Sequence, residues 1–165
     1  MNTEPHWQVE LCPNGPIAAA VDWVEKLLDG RIADAWPGTS PLFRLALARH
    51  WCWRNRAALQ DAGYDPPLVA AALADEGPLH PIWPAFARSQ QPPGSAGDGP
   101  ARWVPAGPPE PVGPDLEVVQ LVRSELAGTG HHCPPLTLLL RLGPTGWLVA
   151  GHGRTPVQPG WPPCR

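Results

Sequence analysis

Lysine is nearly missing from this chain of 165 residues: one Lys stands beside eleven Arg. Charged residues of either sign amount to 16%, against the quarter or so usual in soluble domains. Twelve cationic side chains face fifteen acidic ones, so the net charge is −3. No basic excess is present to neutralise phosphates, and the expected partners include neither nucleic acid nor a membrane surface. No apolar run approaches the roughly 20 residues that a membrane-spanning helix needs. The first residues, MNTEPHWQVELCPNGP, hold acidic groups where a secretory signal has a basic stretch and an apolar core, so a cytoplasmic location with reduced thiols is expected.

Ligand and cofactor signatures are equally sparse. Cys12, Cys52, Cys133 and Cys164 are widely scattered and form no CxxC pair. His131-His132-Cys133 is the one local group with metal-ligating chemistry, but neighbours on a strand point to opposite faces, so no metal is expected. GxGxxG, P-loop, GxSxG and HExxH patterns do not occur, and no cofactor is implied. No repeat of 20–50 residues marks a solenoid.

What the chain has in quantity is proline (25), glycine (17), tryptophan (9) and enough apolar residues (43%) to build a core. At this length one domain is the default. The first half is periodic at three and four residues. Pro16 opens a helix whose stripe is Ile17, Ala20, Val21, Val24, Leu27 and Leu28, stopped by Gly30. A short turn over Ile32–Trp36 ends at Pro37-Gly38. Ser40-Pro41 caps the next helix, and LFRLALARHWCWRNRAAL is apolar on more than one side, as a central helix would be. Asp65-Pro66 caps a third, Leu68 to Asp75, and PLHPIWPAFARSQ holds a fourth.

The period then changes. QQPPGSAGDGPAR, residues 90–102, is a flexible Pro/Gly-rich loop. Trp103-Val104, Leu116–Arg123, Leu136–Leu142 and Trp147–Ala150 are strands, the last two joined by Gly143-Pro144-Thr145-Gly146. The organisation is therefore an N-terminal extension (1–15), one α+β domain (16–160) and a tail (161–165). In it, N-terminal helices pack on the concave face of a curved, mainly antiparallel sheet, bent by glycines and bulges.

Two segments carry a family resemblance. LLDGRIADAWPGTSPLFR and the closing hairpin LTLLLRLGPTGWLVAGHG resemble the helix–turn elements and the last two strands of the nuclear transport factor 2-like superfamily, the cystatin-like cone. The resemblance covers roughly residues 16–160 and implies a conical pocket between sheet and helices. It also implies either pocket chemistry (isomerase, dehydratase, polyketide cyclase) or a non-catalytic binding and dimerisation role, since fold alone carries no activity. By the same resemblance Trp23 lies where ketosteroid isomerase-like members place a pocket tyrosine. An indole N–H donates a hydrogen bond but is no substitute for the phenol as an acid.

The densest chemical cluster is His50-Trp51-Cys52-Trp53-Arg54-Asn55-Arg56. His50 with Asp22 or Asp34 as partner would make a general base near neutral pH. The plainer reading is a helix end with its Trp residues in the core, and with Arg49 stacked on Trp53. Glu117, Arg123 and Arg141 stand on strands, on a solvated face or inside the cone, and His152 falls at a pocket mouth or in a turn. Trp23, Trp51 and Trp53 are the candidate ligand contacts. VPAGPPEPVGP and QPGWPP are stiff connectors or polyproline II ligands. The leading expectation is a cone-fold module that binds a small apolar molecule or a protein, including a second copy of itself through the sheet, without a recognisable catalytic set. The alternative is a pocket enzyme of isomerase, dehydratase or polyketide-cyclase type using the His–carboxylate base.

Overall fold

Proline and glycine punctuation sets the helical half. In a computed structural model of the protein, residues 13–91, 102–126 and 134–163 are described. Most of the expected N-terminal extension and of the 90–102 loop, the His131-His132-Cys133 group and the last two tail residues lie outside them. Helix α1 runs Pro16–Leu28 and buries Ile17, Ala20, Trp23 and Val24. Gly30, at φ +72°, turns the chain into the short α2, Ile32–Ala35, and a single 3-10 turn, Trp36–Gly38. The Ser40 hydroxyl accepts from the Phe43 amide at 3.4 Å and starts α3, Pro41–Arg54.

The apolar run beyond α3 is expected to continue as one helix, but it breaks at Asn55. There the backbone leaves the helical region (φ −105°, ψ 15°) while the Asn55 amide N–H and side-chain Nδ2 both donate to the Trp51 carbonyl, at 3.0 and 2.9 Å, and a separate α4 follows at Arg56–Asp61. Helix α5, Pro66–Glu76, is capped by Asp65 and ends at Gly77. There a Cβ would stand 2.7 Å from the Trp36 ring, so only glycine allows the close approach. Helix α6 is Trp83–Ser89.

Among the described residues five strands follow: β1 Trp103–Pro105, β2 Glu110–Gly113, β3 Leu116–Arg123, β4 Leu136–Gly143 and β5 Gly146–His152. All pairings are antiparallel, in the order β1-β3-β4-β5, with β2 also on β3. The sheet is curved and unclosed, and the helices sit on its concave side. Strand β2 falls in the Pro-rich segment expected to be a connector or a ligand. Its proline, like Pro105 of β1, lies on the outer rim of β3, where a missing N–H costs no central ladder bond.

Alternation along the strands divides the core. Val119 and Leu121 of β3, Leu138 and Leu140 of β4 and Val149 of β5 face α1 and α3. Val118, Leu139 and Ala150 face the other way and are also buried. The C-terminal segment runs back over the molecule: Arg154 pairs with Glu110 of β2, Val157 lies against Gly151 of β5, Arg49 of α3 donates to the Pro159 carbonyl at 2.9 Å, and Trp161 packs on Trp53 with ring centroids 5.4 Å apart. A second cluster joins α3, α5 and α6 around Trp36, Leu73, Trp83 and Phe86. No helix among the described residues is long and apolar enough to cross a membrane.

Candidate functional site

A cavity of about 240 Å³ opens where the two clusters meet. Trp23 and Leu27 come from α1, Ile32 and Ala35 from α2, and Leu47 from α3; Trp36 and Thr39 come from the turn between α2 and α3. Gln90, after α6, and His152, at the end of β5, complete it.

Thr39 is the buried polar residue of this wall, 1% exposed. A parallel bridge to Val149 and a 2.8 Å bond from the Ser40 amide to the Val149 carbonyl tie this turn to the edge of β5. The Thr39 hydroxyl donates to the Ala35 carbonyl at 3.0 Å and accepts from Trp23 Nε1 at 2.8 Å. The first bond satisfies a carbonyl left open at the end of α2, and the second satisfies a buried indole. Arg44 clamps the same turn from outside, donating to the Thr39 carbonyl at 2.8 Å and lying 5.8 Å from the centroid of Trp36.

His152 reaches the cavity through a bulge. Val149 points to the helices and Ala150 to the far face, so strict alternation would turn His152 outward. Strand β5 carries one extra residue opposite Leu139 and Leu140, after which His152 pairs with Leu138 on the helix-facing side. Its ring stands 5.9 Å from Trp23 and 5.4 Å from Phe43, centroid to centroid. By area the residue is exposed, yet the part of the ring packed against Trp23 and Phe43 is desolvated, which holds its pKa below the usual histidine value. The neutral ring offers one donor and one acceptor.

The residues anticipated as a catalytic pair are not brought together. His50 is exposed on α3. Asp22 is exposed and held by Lys26 at 2.6 Å, and Asp34 is exposed beside Arg31 at 3.4 Å. None of the three lines the cavity. Of the three tryptophans anticipated as ligand contacts, Trp23 lines it; Trp51 packs on Phe86 at 5.8 Å, and Trp53 lies between Trp161 and the Arg56 guanidinium, 4.4 Å from its centroid. The cation over Trp53 is thus Arg56 rather than Arg49, which is drawn to the C-terminal segment. Glu117 and Arg123 share the register of Val119 on the helix-facing side, with Arg123 bonded to Glu125 at 3.0 Å; Arg141 is on the opposite face and exposed. Cys52 is fully buried and burial pushes its thiol up to about 12, far from a thiolate at neutral pH. Among the described residues no three His, Cys, Asp or Glu side chains gather as a metal site.

Thr39, Leu47 and Gln90 are wall residues that the sequence did not single out. A threonine directly before an N-cap serine was the available signal for the first; the others depend on tertiary packing. No protein-family model, no curated protein and no solved structure matches this chain.

Proposed function

We propose that the protein is a small-molecule-binding module that holds an apolar ligand between its two cores, on a cone-like fold resembling the nuclear transport factor 2-like superfamily. The observation that carries this reading is the cavity of about 240 Å³ with apolar walls and a few convergent polar groups. An engineered apolar cavity of about 150 Å³ takes up benzene, so this volume suits one small aromatic or alicyclic ring system. Trp23 lines the cavity with its own N–H already satisfied by Thr39, so an apolar ligand strands no donor there.

Catalysis is the weaker reading. His152, rather than His50, is the titratable group at the cavity, and among the described residues no carboxylate is bonded to it. A general base without an orienting partner has neither its tautomer nor its direction fixed. A homodimer through the sheet would have to use a face whose centre, Val118, Leu139 and Ala150, is buried within one chain.

The test is titration of the intact protein with toluene, followed by NMR at the Trp23 indole. Saturable shifts are expected, and Ala35→Leu, which fills the cavity, should abolish them. Equal binding by wild type and Ala35→Leu would place the ligand elsewhere and remove the reading.

A further inference from the structure

Among the described residues His152 is the one titratable group on the cavity wall, and the elements around it supply no countercharge. On α1, behind Trp23, Asp22 is exposed and held by Lys26, while Glu25 stands about 200° round the helix from Trp23. On α3, behind Phe43, Arg44 is drawn to the Thr39 and Pro37 carbonyls and Arg49 to the Pro159 carbonyl; His50 and Arg54 are exposed. On β4, which pairs with His152 at Leu138, Arg141 is on the far face. Arg88, two residues before Gln90, is exposed, and beyond β5 Arg154 pairs with Glu110. None of these lines the cavity, and the other polar wall residues, Thr39 and Gln90, are neutral. Among the described residues neither an ion pair nor a hydrogen bond acts on the imidazole; desolvation alone lowers its pKa.

Resting on the binding role proposed above, we infer that the site releases its ligand in acid: protonation of His152 and occupation of the cavity by an apolar ring oppose one another. His152 both lines the cavity and is exposed by area, so it stands where the cavity meets solvent. Water on the cavity side of the ring solvates an imidazolium. An apolar guest displaces that water and leaves the charge facing hydrocarbon, with no carboxylate on the wall to replace the lost hydration. The neutral ring loses much less. An aromatic guest returns part of the cost by offering its π face to the cation, so an alicyclic ring is released more completely than an aromatic one of the same size. The two events are linked, and each weakens the other by the same factor. Above about pH 6.5 the ring is neutral with or without ligand, and affinity is flat; it falls as pH drops through the value of the free protein.

NMR titration of the His152 ring protons in the full chain, from about pH 7.5 down to about pH 5, is run on the free protein and with cyclohexane or toluene added. Cyclohexane should lower the pH at which His152 titrates, and toluene should lower it less. Cyclohexane affinity should be about threefold weaker at about pH 5 than at about pH 7.5. His152→Gln, uncharged throughout, should lose that pH dependence, which separates the effect of this ring from general loss of structure in acid. The shift of the His152 titration needs no variant, so it decides the matter even if His152→Gln fails to fold. A His152 titration unmoved by cyclohexane while the Trp23 indole reports an occupied cavity would overturn acid release and leave the binding role standing. A cyclohexane affinity equal at the two pH values, or a pH dependence that persists in His152→Gln, would overturn it in the same way. No shift at Trp23 with either compound would overturn both.

Discussion

The two hydrophobic clusters are made of different material. Around α3, α5 and α6 the contacts are aromatic and mostly edge-to-face: Trp36 meets Trp83 at 5.1 Å and Phe86 at 5.4 Å, and Phe86 also meets Trp51 and Trp83. On the sheet side the surface is aliphatic, Val119, Leu121, Leu138, Leu140 and Val149, and the aromatic members of that cluster, Trp23 and Phe43, come from the helices α1 and α3 that lie on it. Leu27 and Leu47 touch both. Close packing needs complementary shape as well as hydrophobicity, and two clusters that each pack around their own members meet along a seam that only a few side chains bridge. The hollow lies along that junction. Within either cluster the chain packs tightly; between them it leaves room for a guest.

The largest effects should come from breaking either cluster. Phe86 is fully buried among three aromatic rings, and Phe86→Ala is expected to cost about 3–5 kcal/mol. Leu138→Ala, at a fully buried sheet position, should cost about 2–5 kcal/mol. If the junction separates two packing units, denaturant unfolding of the double variant should show the losses adding to within about 0.5 kcal/mol. Coupling well above about 1 kcal/mol would mean a single continuous core and would weaken the explanation given for the cavity.

A paired substitution sharpens the contrast. Ala20 and Ala35 are both buried, but only Ala35 lines the hollow. Ala20→Leu overfills a packed site and should cost about 1–3 kcal/mol. Ala35→Leu has space to enter, so its unfolding free energy should stay within about 0.5 kcal/mol of wild type or rise, as cavity-filling changes often do. Comparable losses for both would show that the hollow cannot accept even a side chain.

These contrasts explain which features were readable from residues alone. Helix starts at Pro16, Ser40-Pro41 and Asp65-Pro66 were legible because capping is local chemistry, as was the hairpin through Gly143-Pro144-Thr145-Gly146. Strand β2 was hidden because Glu110–Gly113 has a composition that favours turns and becomes a strand only through pairing with β3. The break at Asn55 was hidden because one residue leaving the helical region at a C-cap has no periodic signature. For the candidate site, Trp23 was named from the family resemblance, and it lines the cavity. His50, Asp22 and Asp34 were chosen for chemical type, which carries no information about which helix face meets the sheet. His152 was visible as a residue but not as an inward one, since alternation without the bulge points it away from the helices.

That bulge yields the smallest and most specific expectation. Packing against Trp23 and Phe43 disfavours the imidazolium, so the folded pKa of His152 lies below the unfolded value near 6.5. In the interval between the two, the unfolded chain binds more protons than the folded one, and stability rises with pH there. The contribution is thus complete above about pH 6.5 and is lost as pH falls through the folded value. Unfolding free energies of wild type and His152→Leu, compared from about pH 7.5 down to about pH 5, should show wild type losing more than the variant, because only wild type has this imidazole to charge. The excess should be small, since the exposed edge of the ring lets water stabilise part of the charge. An outward-facing His152, the arrangement that an unbulged β5 would impose, predicts instead that the two curves run parallel across the whole range.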